Sequence, residues 1–350
     1  MFLGVIDFII VYLLNIKGGK ALMKVLKIIL KVIAGILALL IAVIGITGVV
    51  CKFIPGEMAD YTKVSNPYIT TDKALVSAHR SGKDIAPENT MLAFETCIES
   101  ENFDVDIFEF DLHITKDGKL ILLHDDTLDR TTDSETLFGK EGVIPSEKTY
   151  EELRELNFGA DFCNQKGEYP YRNLKEDEIP DNLRAVLLED VLDYLESNGG
   201  FDYIIEIKDS GELGEKATDE LYRILKEKEL LDNVVVGTFN NNVTKYMDEK
   251  YPDMMRSASI TEAIVFYFAT TLDLELEKGF FKYKALQIPA NGYYVFALAS
   301  DRIINYAHKN DIAVQYWTVN DPEDVKKLNE LGADCIMSDD PDMAYDVING

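Results

Sequence analysis

A closed TIM (β/α)8 barrel of parallel strands, preceded by an N-terminal transmembrane helix, is the α/β fold class this sequence predicts. Three observations predict it. From about residue 74 onward, short apolar runs alternate with helical periods, the βαβ rhythm of a parallel sheet. The runs number eight, the strand count at which such a sheet closes on itself. Ahead of them, residues 32–51 form a run of twenty without a charge, enough to cross a hydrocarbon core of about 30 Å as a helix.

The N-terminal elements follow from charge and length. Lys17, Lys20, Lys24, Lys27 and Lys31 precede the span and only Lys52 follows it closely. The positive-inside bias then puts residues 1–31 in the cytoplasm and the C-terminal domain on the extracytoplasmic side of the cell membrane, a single-pass arrangement. A cleaved signal peptide has a shorter apolar core, of about 7 to 15 residues, and a small-residue cleavage site. Neither fits here, and Gly48-Val49-Val50 before Cys51 is a poor lipidation signal. Residues 3–16 are a second, shorter apolar stretch interrupted by Asp7, compatible with another span, an interfacial segment or a leader ahead of a start at Met23. Residues 52–73 are polar and turn-rich and read as a tether. Residues 74–350 then form the one large domain that 350 residues of 47% hydrophobic composition can support.

Within that domain the expected barrel strands are ALVSAH, IFEFDL, YIIEIK, VVVGTF, RSAS, ALQIP, AVQYWTV and CIMSD, with helices between them. LILLHD (residues 120–125) falls outside the count. Only TKDG separates it from the second strand, and a parallel crossover needs a dozen or more residues. It is therefore expected as a hairpin arm on the loop after that strand, carrying His124 to the C-terminal rim of the barrel, where the end of the first strand also places His79. Residues 126–182 form a long charged insertion, of a length that suggests a lid or substrate-contact element. Phe162, Tyr169 and Tyr171 in it are candidates to line a pocket or to pack the insertion against itself.

Charge and cysteine usage narrow the function. The chain carries −27 in all; since residues 1–56 hold six Lys and one Asp, the remainder carries −32. Such a domain repels nucleic acid and anionic bilayers, so nucleic-acid binding is not expected. Cys51, Cys97, Cys163 and Cys335 are scattered, with no CxxC pair, which signals neither a zinc site nor a disulfide scaffold.

The chemistry sits at strand ends. Glu109 and Asp111 are two residues apart on a strand, so both face one way while Phe108, Phe110 and Leu112 face the other. Two buried anions repel and are costly to desolvate unless a cation joins them. Glu206 repeats the pattern on the next barrel strand, with Lys208 two residues on. Three such hard oxygen donors suit one divalent cation, Mg2+ or Ca2+. Arg80, directly after His79, offers the planar fork that fits phosphate oxygens. Pro87-Glu88-Asn89-Thr90 is a helix-start signal whose Glu88 and Asn89 could brace the histidines.

HR, PENT, E-x-D, TKDG, HD, E-I-K, WTVND and SDDP, in this order from about residue 76 to 341, resemble the glycerophosphodiester phosphodiesterase family. The resemblance implies a TIM barrel in which His79 and His124 are general acid and base. It implies Glu109, Asp111 and Glu206 as metal ligands, Arg80 and Lys208 on the phosphate, and Trp317 as a pocket aromatic. Two departures bear on substrate choice: Ser81 stands between Arg80 and Gly82 where the family commonly has Gly at once, and Ala185-Val186 replaces its Pro-Thr. The activity implied is metal-dependent hydrolysis of glycerophosphodiesters to glycerol 3-phosphate and an alcohol through a cyclic phosphate. A lysophospholipase D acting on membrane lysophospholipid, an enzyme of cell-wall polyglycerophosphate, and an inactive membrane-anchored binding module are the alternatives. No obligate protein partner is signalled.

Overall fold

The computed structural model describes residues 19–277, 279–290 and 296–350. The apolar stretch 3–16 lies outside them. Helix α1, Gly19–Phe53, contains the expected span, and its stretch Leu26–Phe53 is long and apolar enough to cross a membrane.

Seven parallel strands form the barrel: β1 (Leu75–Ala78), β2 (Ile107–Ile114), β4 (Asp202–Ile207), β5 (Val234–Gly237), β6 (Ala285–Pro289), β7 (Ala313–Trp317) and β8 (Cys335–Ser338). Their order around the sheet is β5-β4-β2-β1-β8-β7-β6. The eighth position, expected at RSAS, is filled by extended chain making single parallel bridges, Val236↔Arg256 on one side and Ser257↔Ala285 on the other. The backbone of Arg256 keeps its place in the cylinder, while Asp248 and Glu262 accept from its guanidinium at 2.8–2.9 Å. The cylinder closes there through backbone bonds, Ser257 N to Val236 O and Ala258 N to Ala285 O.

As the turn length requires, β3 (Leu120–Leu122) pairs antiparallel with β2, Leu112 opposite Leu122. The insertion behind it packs on a core of its own, with Leu128, Val143, Leu153 and Phe158 against Ile121 and Leu123. Phe162 and Tyr171 pack ring to ring at 6.2 Å within it. Around the barrel run α2 (Met91–Ile98), then α3 (Ser134–Phe138) and α4 (Tyr150–Leu153) in the insertion, then α5 (Leu188–Ser197), α6 (Gly211–Glu227), α7 (Asn241–Lys250), α8 (Ile260–Leu272), α9 (Asp301–Lys309), α10 (Pro322–Leu331) and α11 (Pro341–Asn349).

Strand alternation sorts the interior. Phe108, Phe110 and Leu112 point outward into the helix layer with Phe94, Leu188 and Leu221. Inward, Ile107, Ile204, Val235, Ala285, Ala313 and Cys335 make an apolar floor. Tyr68 plugs that floor from below. The segment read as a tether is thus docked at this end: Asp311 accepts from Ser65 N (2.7 Å) and Asn66 N (2.8 Å), and Asp334 accepts from Thr70 N (2.8 Å). One step up four of these strands, Glu109, Glu206, Gln287 and Gln315 replace the apolar floor with polar groups.

Candidate active site

The site is built from strand ends. After Ala78 the chain turns through three left-handed residues, Arg80 (φ 49°), Ser81 (φ 65°) and Gly82 (φ 88°). This turn aims the Arg80 amide at Glu109 Oε2, 2.7 Å away. Ser81, where glycine was the expected residue, tolerates the left-handed region at a cost of about 1 kcal/mol. It is buried, and its carbonyl accepts from the Cys97 thiol. The departure is therefore absorbed by local strain. PENT starts α2 as expected, Thr90 accepting from Ala93 N.

Both imidazoles are held from behind. His79 Nδ1 lies 2.5 Å from Asp339 Oδ1. Burial works against ionisation of Asp339, yet His79, Asn320 and Lys83 hold its carboxyl down to about 2. An ionised carboxylate only accepts, so Nδ1 carries the hydrogen and Nε2, 3.9 Å from Glu109 Oε2, is left for the cavity. His124 Nδ1 sits 2.6 Å from Asp125 Oδ1 in the same manner. Burial, with Lys208 and Arg80 nearby, lowers the His124 pKa, while for His79 the charges of Glu109 and Asp339 outweigh burial and raise it.

A carboxylate–guanidinium chain ties the two halves together. Arg130, on the insertion, reaches Asp125 Oδ2 through Nε (2.6 Å) and Glu88 through Nη1 and Nη2 (2.8 and 2.6 Å). Glu88 also accepts from Arg80 Nη1 at 3.2 Å. The acid that orients His124 and the arginine beside His79 thus share one network.

Glu109, Asp111 and Glu206 each bring an oxygen within 4.8 Å of the others. Asp111 and Glu206 are register partners on neighbouring strands. Lys208 Nζ lies between those two, 3.0 Å from Asp111 and 2.9 Å from Glu206. Asn89 donates to Asp111 at 3.0 Å, so it braces this acid rather than a histidine. Burial first, then the Asp111 charge, raises the Glu109 pKa; Asp111 is lowered because Lys208, His124 and Arg80 overcome its burial. Burial also raises Glu206 against the pull of Lys208. Among the described residues Glu109 has no side-chain cation nearer than His79, at 3.9 Å, and a buried carboxylate in that position fits a missing positive charge. The donor set, all carboxylate oxygen, fits a hard divalent ion.

His79, Arg80, Glu109, His124, Glu206, Lys208 and Trp317 line one open cavity at the rim. Asp111 stands behind Lys208, almost wholly buried. Trp317 meets Phe239 edge to face at 5.9 Å, an aromatic wall the sequence pattern half revealed. Phe162, Tyr169 and Tyr171 are not among the lining residues. Sequence reasoning passed over Asp339, Arg130 and Gln287. The late SDDP motif was the available signal for Asp339, whereas nothing in the local sequence marks Arg130.

The profile of the Glycerophosphoryl diester phosphodiesterase family matches residues 79–343. The chain belongs to this family. It is 30% identical over 272 residues to the Bacillus subtilis protein YqiK, covering 77% of this chain and 96% of that one. It is 27% identical to a glycerophosphodiester phosphodiesterase of Bacillus altitudinis, covering 78% and 97%. Among solved structures, the glycerophosphoryl diester phosphodiesterase domain of a Mycobacterium tuberculosis protein superposes with a TM-score of 0.61 at 18% identity, covering 79% of this chain and 99% of that one. An Oleispira antarctica phosphodiesterase in complex with its product sn-glycerol-3-phosphate gives 0.60 at 21% identity, covering 79% and 98%. Both share the family barrel.

Proposed function

We propose that the protein hydrolyses glycerophosphodiesters to glycerol 3-phosphate and an alcohol, by paired-imidazole acid–base catalysis at a divalent-metal site. The observation that carries this reading is the convergence of two carboxylate-backed imidazoles, Arg80, Lys208 and two of three clustered acids on one cavity. Glu109, Asp111 and Glu206 would hold Mg2+ or Ca2+. When bound, such an ion supplies Lewis-acid polarisation of oxygens on the substrate.

Arg80 and Lys208 offset charge on the phosphoryl group as it builds toward the transition state. One imidazole takes the proton from the glycerol 2-hydroxyl as that oxygen bonds to phosphorus. The other gives its proton to the alcohol oxygen as the old P–O bond breaks. Water then opens the cyclic phosphate with the two roles exchanged, and each ring ends in its starting state. Asp339 and Asp125 keep the working Nε2 atoms facing the phosphorus. Trp317 packs against the glycerol or headgroup carbons.

In this reading α1 is a membrane anchor that leaves the barrel extracytoplasmic, as the lysines ahead of the span favour. Anchoring also favours a second reading, a lysophospholipase D activity on lipids of that membrane. Turnover of glycerophosphocholine against lysophosphatidylcholine, each with Mg2+, Ca2+ or EDTA, tests both. Hydrolysis of the water-soluble ester supports the first reading, cleavage of the long-chain ester alone supports the second, and no chelator-sensitive cleavage of either removes both.

A further inference from the structure

The outer face of α8 is unlike those of other barrel helices. Ile260, Ile264, Phe268 and Leu272 follow at four-residue steps and are all exposed, with Val265 beside them. Four-residue steps keep to one side of a helix. The opposite side, with Phe266, Ala269 and Thr270, is buried. Glu262, the one acid on α8, is engaged by Arg256 and by its capping Ser259. By contrast, the exposed positions of α6 include Glu212, Lys216, Arg223 and Lys226, and those of α10 include Glu323, Lys326, Lys327 and Glu330. A contiguous apolar face of this kind marks contact with something apolar.

The placement of α1 says what that is. Its C-terminal end is seated on this same helix: buried Cys51 Sγ lies 3.5 Å from Thr271 Oγ1, and buried Thr47 faces Tyr267. Arg302 on α9 fastens the junction, donating to Thr270 O (3.0 Å) and Pro55 O (3.3 Å). Cys51 beside Thr271 and Thr47 beside Tyr267, a step of four in the same direction on each chain segment, make the two helices parallel. Because α8 starts at the catalytic rim after Ala258 and runs away from it, α1 traced back toward its apolar centre moves toward the rim.

We propose that α8 is a membrane-facing helix, its face of Ile260, Ile264, Val265, Phe268 and Leu272 lying in the interfacial layer of the bilayer that α1 spans. The proposal rests on the reading of α1 as a span. The face continues the lipid-exposed surface of α1, and burial of apolar side chains at the headgroup boundary drives the contact. The −32 charge outside residues 1–56 opposes attraction to anionic headgroups, so the contact is apolar and insensitive to salt. It turns the rim toward the headgroup layer and gives amphiphilic substrates a short path to the cavity.

Trp317 is the single tryptophan, which makes added tryptophans readable against the parent protein. The full chain, reconstituted in phosphatidylcholine vesicles with and without spin-labelled phosphatidylcholine, is compared as Ile264→Trp, Phe268→Trp, Val43→Trp in α1, and Glu101→Trp. The last site follows α2, half-way round the barrel from α8. The proposal expects spin label to remove emission from the Ile264→Trp and Phe268→Trp proteins as it does from Val43→Trp, to spare Glu101→Trp, and to do so equally in 1 M salt. Loss at Val43→Trp without loss at either α8 position overturns the membrane-facing helix and leaves the span standing; a protein or second copy would then cover the face. No loss at Val43→Trp overturns both, and equal loss at Glu101→Trp overturns the orientation.

Discussion

Asp339 Oδ1 stands 2.5 Å from His79 Nδ1, across a sequence separation of 260 residues. The last barrel strand thereby sets the tautomer of a ring delivered by the first. His79→Ala and His124→Ala are each expected to lower kcat by about 10²–10⁴ if the rings are the acid and base. Asp339→Asn removes the fixed charge but keeps the shape, and is expected to lower kcat with KM little changed and near-UV circular dichroism retained. Steady-state kinetics on glycerophosphocholine reads this; an unaltered kcat would remove Asp339 from the positioning role.

Arg130 binds Asp125 and Glu88 at once, so its effect reaches His124 through one acid and Arg80 through another. Arg130→Met is expected to lower kcat about 10- to 100-fold, the scale found when supports of an active group are lost. Arg130→Lys, which cannot make both paired contacts, is expected to recover only part of the loss. Full recovery by lysine would show that charge alone matters there.

How far the site was legible depends on how local its cause is. Glu109, Asp111, Glu206 and Lys208 could be read because strand alternation fixes their common face from neighbouring residues alone. The hairpin at β3 could be read because a four-residue turn forbids a crossover. RSAS was expected as a full strand, but Arg256 answers to Asp248 and Glu262, partners set by tertiary packing, and the segment keeps only single bridges. Residues 52–73 are polar enough to read as a tether, and only the closed barrel supplies the floor that Tyr68 fills. Arg130 escaped for the same reason: an arginine in a charged insertion carries no mark until its two carboxylates are in place.

The docking of that floor segment gives a pH-dependent prediction. Burial opposes ionisation of Asp311, but Lys284 and the amides of Ser65 and Asn66 hold its pKa down to about 2. A carboxyl depressed in the folded state stabilises it above the unfolded pKa of about 3.9, and that contribution is lost as pH falls from there through about 2. Asp311→Asn is expected to lower the melting temperature of the detergent-solubilised protein by about 2–6 °C at pH 7, corresponding to roughly 1–2 kcal/mol of lost hydrogen bonding. The gap from the parent is expected to narrow below pH 3. A gap independent of pH would mean that the charge of Asp311 is not what latches the segment.

The central claim is that Glu109, Asp111 and Glu206 gather a divalent cation beside two working histidines. Its most direct measurement is Mn2+ binding to the full-length protein by electron paramagnetic resonance, paired with glycerophosphocholine turnover in EDTA and after return of Mg2+ or Ca2+. The account predicts one bound ion, turnover abolished by chelation and restored by metal, and binding weakened in both Glu109→Gln and Glu206→Gln. Undiminished turnover in EDTA, or Mn2+ binding unchanged in both variants, would contradict it.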